Sequence, residues 1–451
     1  MSMTQQDMTV GNPGKIILSF TVPIFIGNVF QQFYSMADTI IVGKFVGTDA
    51  LAAVGSTGTI MFLMLGFVMG MTAGLSVVTA QKFGAGDMAA LKKSIGSALW
   101  LSVGITLLLT AVFMFGMKFL LTFMHTPEDI FADAYGYIMI ICGGIAAQML
   151  YNLLAGFLRA IGNSKVPLYF LILSALLNIV LDLVFIIVFH LGVEGAAWAT
   201  VVSQGVSGVI CLIYIIKKVP VLHISKEDVK PDKFLILTQI RIGIPMALQY
   251  SITAIGTMMV QTALNLLGSG AVAAFTAANK IEQIVTQAYV AMGTTMSTYC
   301  AQNTGAGKVD RIRQGFRSIS IMGSVYSIVV GIFIIAVGRY FTYLFISGDV
   351  TEIMGQVHIY LVCVALFFIP LMVVNVYRNG IQGMGYGFLP MLSGVAELTG
   401  RGIVAVIAAG KRSYVGVCLA SPAAWVLAGG LLLVVYFIIM RKKQPGMGNG
   451  Q

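Results

Sequence analysis

Four acidic side chains of this sequence stand inside long apolar runs, where a charge is costly. Asp38 and Asp182 lie in the first half of the chain, and Glu282 and Glu397 lie in the second. An ionisable group at membrane depth costs about 2.5–3.5 kcal/mol on insertion scales, so its default interpretation is functional. These four carboxylates are therefore the candidates for ion-binding or proton-transfer chemistry.

Asp182 lies well inside the fifth apolar run, and Asn178 precedes it by one helical turn. The i, i+4 spacing puts both side chains on one helix face. The Leu, Ile and Val residues around them cannot solvate a charge, so an amide carbonyl beside a carboxylate could coordinate a small cation or share a proton. The alternative is a hydrogen-bonded pair between helices.

Asp38 lies near the end of the first apolar run, after Pro23. The alternative is that Asp38 marks the end of the helix and faces water. Loss of water disfavours the charged form of a carboxyl group, and a second carboxylate nearby disfavours it further. If Asp38 and Asp182 share one cavity, they become candidates for reversible protonation near neutral pH, although the sequence does not show that they meet.

The two glutamates of the second half lie beside basic residues. Glu282 follows Lys280 in the polar stretch that begins at Asn279, and structural and functional roles weigh equally for it. Glu397 precedes Arg401 by four residues, which most simply predicts an ion pair within one helix. The alternative for Glu397 is a direct role in substrate binding or gating.

The composition of the chain indicates that these acids belong to a membrane protein. Hydrophobic residues make up 58% of the 451 residues and charged residues 10%, with a mean hydropathy of +0.92, whereas a soluble domain has about 25% charged residues. A crossing helix needs about 20 apolar residues. We predict an all-α polytopic membrane protein with twelve spans at 15–38, 51–80, 94–117, 131–158, 166–189, 195–216, 239–266, 272–301, 316–337, 355–380, 388–409 and 415–440.

The two halves of the sequence resemble each other. The segment 47–53 returns as 268–274, Gln81 and Gly84-Ala85-Gly86 return as Gln302 and Gly305-Ala306-Gly307, and Pro23 pairs with Pro245. Duplicated halves are typical of alternating-access transporters. With six spans in each half, we expect two lobes related by a pseudo-twofold axis along the membrane normal. The predicted organisation is an N-lobe (1–216), a linker (217–238), a C-lobe (239–440) and a tail (441–451).

Positive charges predict the orientation of the chain. Of the 27 Lys and Arg residues, 20 fall on the side that holds the N-terminus, the linker and the C-terminus. This asymmetry predicts a multi-pass protein of the cell (plasma) membrane with both termini in the cytoplasm. The net charge of +10 is therefore a topology signal, and we expect no nucleic-acid partner.

Three glycines of the second span, Gly66, Gly70 and Gly74, are spaced four residues apart. This spacing lets two helix backbones approach closely. We therefore predict that these glycines pack against a neighbouring helix.

Several of these residues occur in the order of a known family pattern. The stretch Pro23…Gln31-Gln32…Ala37-Asp38-Thr39-Ile40-Ile41-Val42-Gly43…Ala50-Leu51-Ala52-Ala53-Val54 resembles the first-helix signature of MATE (multidrug and toxic compound extrusion) transporters. Gly243-Ile244-Pro245 and Gln302-Asn303-Thr304-Gly305-Ala306-Gly307 resemble that family's second repeat. The resemblance covers about residues 15–440.

The resemblance implies a multidrug exporter that exchanges organic, cationic amphipathic compounds for H⁺ or Na⁺, with no other cofactor. The N-lobe cation site of the DinF-like branch is matched by Asp38, Asn178, Asp182, Thr200 and Tyr137. Tyr135 is an alternative match for the tyrosine of that site. Na⁺, if it is the coupling ion, would bind at Asp38, Asn178, Asp182 and Thr200.

The resemblance also bears on the remaining candidates. Gln31, Gln32, Glu282 and Glu397 are candidates for the substrate cavity or for gating, and Pro23 and Pro245 for helix bending. One departure is that the span from Pro245 to Gln261 lacks the glutamate that the NorM-like branch carries there. We expect a monomer in the lipid bilayer.

Other function classes fit the sequence less well. A flippase for a lipid-linked saccharide could share the two-lobe plan, but we would expect it to carry more Lys and Arg in its cavity. A membrane enzyme would need a nucleophile or a His–acid pair, and the four histidines show no such arrangement. A channel would not explain the duplicated halves.

Overall fold

The computed structural model describes residues 6–124, 126–344 and 351–443, and this part of the chain is almost entirely helical. The predicted tail, 441–451, lies outside the described residues from position 444 onward. The helices are α1 (Pro13–Phe45), α2 (Thr48–Gly84), α3 (Met88–Phe123), α4 (Glu128–Gly143), α5 (Ile145–Ala160), α6 (Lys165–Leu183), α7 (Gly192–Lys218), α8 (Lys233–Asn265), α9 (Ser269–Gly305), α10 (Val309–Val337), α11 (Thr351–Ala365), α12 (Phe368–Gly383), α13 (Phe388–Gly410) and α14 (Tyr414–Lys442).

The predicted spans all have helical counterparts. Within the described residues, nine helices are long and apolar enough to cross a membrane, and two bent pairs raise the number to eleven. The pairs are α4 with α5, bent by 45°, and α11 with α12, bent by 50°, so the fourth and tenth predicted spans are broken helices. The twelfth counterpart is α9, which is 37 residues long but carries Asn279, Lys280, Glu282 and Gln283. The fold is that of an all-α polytopic membrane protein.

Side chains on the outer faces of the helices agree with a lipid environment. On α3, Leu107, Leu108, Phe115 and Phe119 are each at least 62% exposed. Such a band would be unstable in water, because each apolar side chain left exposed forgoes about 1.5–3 kcal/mol of burial free energy. Lipid tails remove that penalty.

The duplication seen in the sequence is repeated in the backbone. Helices α1 and α8 both have 33 residues and an internal proline, and α2 and α9 both have 37 residues. Gly47 and Gly268 precede α2 and α9 with positive φ, and Gly86 and Gly307 follow them at φ 72° and 69°. Side chains rarely adopt this backbone region, which explains why glycine occupies both members of each pair.

The described chain forms two compact units. Unit 1 comprises residues up to Asp7 and Ile26–Tyr250, and unit 2 comprises Met8–Phe25 and Ser251 onward. The division falls inside α1 and α8, so each of these helices contributes to both units. The linker 217–238 belongs wholly to unit 1. The lobe limits drawn from the repeat stay a prediction.

In unit 1, three glycines of α2 pack against α8, as their spacing predicts. A Cβ on Gly74 would lie 2.3 Å from the Cα of Gly243, and one on Gly70 would lie 2.5 Å from the Cα of Ala247. The third, Gly66, faces Tyr250, whose Cβ would be 2.9 Å away. The two backbones therefore touch at Gly70 and Gly74, and the Tyr250 side chain packs on Gly66 one turn earlier. Only glycine permits such close contact on the α2 side.

The linker is packed against unit 1 over part of its length. The indole nitrogen of Trp100 on α3 donates to the carbonyl of Val229 at 2.8 Å. Asp228 accepts hydrogen bonds from the backbone N–H and the hydroxyl of Ser225, which lower the pKa of its exposed carboxyl.

Unit 2 has a core rich in aromatic side chains. Tyr289 and Tyr299 of α9, Phe316 of α10 and Phe368 of α12 are almost completely buried. The hydroxyl of Tyr289 exchanges a hydrogen bond with that of Ser327 at 2.8 Å, so a polar atom that burial would otherwise leave unpaired is satisfied. This core holds α9 in place for the polar cluster described below.

Candidate functional site

Asp38 of α1 and Asp182 of α6 lie side by side in unit 1. Their carboxyl groups are close enough to share a proton. Asp182 is fully buried and Asp38 half-buried. Two neighbouring carboxyl groups away from water cannot both hold a negative charge without a large penalty. The pair therefore needs a cation, either a proton or a metal ion, to be stable in this position.

Four acceptor oxygens at this place have no donor. They are Oδ1 of Asp38, both carboxyl oxygens of Asp182 and Oδ1 of Asn178, each of which is buried without a hydrogen-bond partner among the described residues. A buried acceptor without a donor costs about 1–3 kcal/mol, and more when it is charged. Oxygen atoms are also the ligands that hard cations prefer. The donor set therefore fits H⁺ and Na⁺ alike.

Two further predicted residues border this oxygen set. The amide nitrogen of Asn178 donates to the hydroxyl of Thr200 on α7 over 3.4 Å, which leaves the Asn178 carbonyl oxygen available. Tyr137 of α4 is 3% exposed and interacts electrostatically with Asp38 and Asp182. Tyr135, the competing tyrosine, instead stacks on Phe131.

Sequence reasoning missed one member of this cluster. Tyr34 lies one turn before Asp38 on α1 and interacts electrostatically with Asp38 and Asp182. The i, i+4 spacing that linked Asn178 to Asp182 applies equally to Tyr34 and Asp38, so the signal was present in the sequence. We use the name Asp38 cluster for the following residues of unit 1: Asp38, Asp182, Asn178, Thr200, Tyr137 and Tyr34.

Local backbone features position the cluster. Helix α6 changes to a π-helical turn at Val184–Val188, directly after Asp182. Such turns interrupt the regular hydrogen-bond ladder and are frequent at functional sites. On the other side, Pro23 lies inside α1 and removes one backbone donor there. The π-helical turn thus adjoins Asp182 directly, whereas α1 remains a continuous helix through Pro23 to Asp38.

The other first-half candidates lie on the same helix as Asp38. Gln31 and Gln32 are half-buried on α1, within unit 1, and Gln31 lies two turns before Asp38. Pro23 belongs to the part of α1 in unit 2, and Pro245 to the part of α8 in unit 1. The roles assigned to these four residues stay predictions.

Glu282 is the centre of a second polar cluster, in unit 2. Its Oε2 accepts a short hydrogen bond from the hydroxyl of Tyr360 on α11. The side-chain amide of Asn279 donates to the same Oε2 at 3.4 Å and to the Tyr360 oxygen at 3.1 Å. Glu282 is 8% exposed, so these donors replace the water that a buried carboxylate loses.

Glu397 forms its ion pair with a different arginine from the predicted one. Nη2 of Arg378 on α12 donates to Oε1 of Glu397 at 2.9 Å, and Nε of Arg378 donates to the hydroxyl of Ser393 at 3.1 Å. The prediction of an intrahelical Glu397–Arg401 pair was wrong, because α12 places a guanidinium closer. Arg378 lies within the predicted span 355–380 and is 7% exposed.

Arg401 is left without an ion pair among the described side chains. Its guanidinium lies against α8 at Gly256, where a Cβ would meet Nη1 at 2.9 Å. The stretch of α8 from Pro245 to Gln261 has no acid that could pair with it. We use the name Glu282 cluster for the following polar residues of unit 2: Glu282, Tyr360, Asn279, Glu397, Arg378, Ser393 and Arg401.

Comparison with known proteins agrees with this architecture. The family model MatE matches residues 23–184 and 242–406. The probable multidrug resistance protein YpnP of Bacillus subtilis is 32% identical over 391 residues, which are 86% of each chain. A second protein of that organism, the probable multidrug resistance protein YoeA, is 30% identical over 305 residues, 66% of each chain.

A solved structure of a multidrug resistance MATE family transporter, in an outward-facing conformation, superposes with a TM-score of 0.92. It is 22% identical, and the match covers 99% of this chain and 100% of that one, so it bears on the fold alone. The family model covers well over half of the chain, at the two repeats recognised in the sequence. The chain belongs to the MATE family.

Proposed function

We propose that this protein is a secondary active multidrug exporter that exchanges an organic cation for H⁺ or Na⁺ by alternating access. The observation that carries the proposal is the set of four buried acceptor oxygens without donors around Asp38 and Asp182. Membership of the MATE family and the similarity to proteins named for multidrug resistance support the exporter assignment.

The Asp38 cluster favours one positive charge at a time. With the pair occupied by H⁺ or Na⁺, the oxygens have their partner and the cluster carries less negative charge. Once the ion leaves, the uncompensated carboxylates attract another cation, and an amphipathic organic cation supplies one. Competition of this kind, in which each ligand binds best when the other is absent, is what an exchanger needs.

Each residue of the cluster has a distinct task in this scheme. Asp38 and Asp182 hold the ion, and Asn178 and Thr200 supply neutral oxygens if the ion is Na⁺. Tyr137 and Tyr34 limit the access of water to the pair. In the direction we propose, the ion enters from outside the cell and leaves to the cytoplasm. The protein then lies in the plasma membrane with both chain termini on the cytoplasmic side.

Charge balance sets the driving force. Exchange of one H⁺ for one monovalent organic cation moves no net charge, so the pH gradient alone drives it. A tenfold concentration ratio corresponds to about 1.4 kcal/mol, which is the free energy of about one pH unit. We therefore expect about tenfold accumulation of substrate per pH unit.

Dye efflux from vesicles that contain the purified protein tests the proposal. A pH gradient and a Na⁺ gradient are imposed separately, and the efflux of a fluorescent organic cation is recorded. Efflux on one gradient, lost in Asp38→Asn, supports the exchanger and names its ion. Absence of efflux under both gradients would overturn the exchanger and favour the flippase.

A further inference from the structure

Arg401 of α13 is a buried charge, and two of its three guanidinium nitrogens donate to no acceptor among the described residues. The side chain is 5% exposed, and neither Nε nor Nη1 has a hydrogen-bond partner among the described residues. An unpaired donor on a charged group costs more than any other unpaired buried group. A buried guanidinium with two idle N–H groups is therefore expected to have an acceptor that is supplied from elsewhere.

The two carboxylates of the Glu282 cluster do not supply that acceptor, because each is engaged by other donors. Glu397 is held by Arg378 at 2.9 Å. Glu282 accepts from Tyr360 and Asn279. Arg401 interacts electrostatically with Glu397 most strongly and with Glu282 next, but it forms an ion pair with neither of them. One negative and one positive charge are thus held apart in the interior of unit 2.

A ligand with both signs of charge would satisfy this arrangement. Its oxyanion would accept from Nε and Nη1 of Arg401, and its cationic nitrogen would face the carboxylate of Glu282. The Arg378–Glu397 pair is neutral as a whole, so the Glu282 cluster has no net charge and a zwitterion would leave it so. A simple cation or a simple anion would leave one charge uncompensated.

We propose that the Glu282 cluster is a binding site for zwitterionic organic compounds, with a carboxylate or phosphate group on Arg401 and an ammonium group beside Glu282. The site stands on unit 2 alone. Its assignment to the compounds that the protein exports rests on the function proposed above. Exported compounds would then include those that carry an acid group as well as a cationic centre.

Two dyes that differ only at the acid group test this site. The probes are a rhodamine with a free carboxylate, which is a zwitterion, and its methyl ester, which is a cation. Binding to the purified full-length protein in a non-ionic detergent is measured by fluorescence anisotropy. We expect the wild-type protein to bind the acid at least about tenfold more tightly than the ester. A hydrogen bond between charged groups contributes a binding free energy of that size.

Arg401→Gln should abolish the preference for the acid, because no guanidinium remains to bind its carboxylate or to repel the cationic ester. The matched control is Lys280→Gln, which removes one positive charge from an exposed position of α9 and should leave both affinities unchanged. Gly256→Ala keeps the charge and displaces the guanidinium through its Nη1. Gly256→Ala should weaken binding of the acid severalfold, and it therefore tests the site if the Arg401→Gln protein does not fold.

Equal affinities of the two dyes in the wild-type protein, or an unchanged ratio in Arg401→Gln, would overturn the site. A lipid headgroup has the same chemistry, so phosphatidylethanolamine is titrated in parallel. Displacement of the acid dye by stoichiometric lipid makes a lipid the occupant and overturns the assignment to exported compounds. Tight binding of the acid without efflux from vesicles would leave the site intact and contradict the export function instead.

Discussion

The carboxyl group of Asp38 on α1 lies next to that of Asp182 on α6, close enough to share one proton. The two residues are far apart in the sequence. Helix α6 changes to a π-helical turn directly after Asp182, and α1 contains Pro23. Since none of the three buried oxygens of the pair has a donor among the described side chains, we propose that the two acids bind one cation as a unit.

Asp38→Asn and Asp182→Asn should each abolish ion-driven efflux, and the double variant should be no worse than either single one. Residues that act as a unit give strongly non-additive losses. The measurement is dye efflux from vesicles with matched amounts of protein. Asp133→Asn, which changes an exposed acid of α4, serves as the control and should transport normally. Residual efflux in both single variants that is lost only in the double variant would show that the two acids act independently.

Replacement of the glycines that join α2 to α8 should destabilise the protein. In Gly70→Ala and Gly74→Ala the new methyl group meets the backbone of α8 at 2.5 Å and 2.3 Å, and such overpacking costs about 1–3 kcal/mol. The readout is Tm in detergent. Gly58→Ala on the same helix has no neighbour within 4 Å, and should be neutral or stabilising by up to about 1 kcal/mol. Equal Tm values for all three variants would contradict the close packing.

The Arg378–Glu397 pair predicts a characteristic pattern of stability. Loss of one partner should cost about 3–5 kcal/mol because the other charge is left buried, whereas replacement of both by Met should recover most of that loss. The control pair is Asp310–Arg313 on α10, where the acid is 88% exposed and loss of one partner should cost about 1 kcal/mol or less. A double-mutant cycle on Tm separates the two cases, and similar costs at both pairs would refute the buried arrangement.

Pro23→Ala should impair efflux without loss of stability. An internal proline disfavours a regular helix by about 3 kcal/mol relative to alanine, so alanine should favour a straight α1 over the bent form for which Pro23 is the candidate. Pro422→Ala, at the other end of the chain in α14, is the matched control and should retain efflux. Full activity of Pro23→Ala with a normal Tm would exclude a bending role for this proline.

The sequence predicts the helices well and the partners of each side chain only in part. Hydropathy and the internal repeat give the helical segments, and the glycine spacing of α2 gives the packing face correctly, because these are properties of a single helix. The Arg378–Glu397 pair was missed, since it depends on how α12 lies against α13. Likewise, nothing in the spacing of Glu282 indicates Tyr360, which reaches it from another helix. Contacts between helices distant in the chain have no periodic signal.

Cation exchange at Asp38 and Asp182 is tested most directly by counting the protons released when substrate binds. An organic cation such as tetraphenylphosphonium is added to the purified protein in weakly buffered detergent with a pH indicator. We predict release of about one proton per bound cation, as expected for the exchange of one cation for another, and no release from Asp38→Asn or Asp182→Asn. If Na⁺ is the ion, the release should be replaced by displacement of bound radioactive Na⁺. Binding of the organic cation with neither proton release nor Na⁺ displacement would contradict the account.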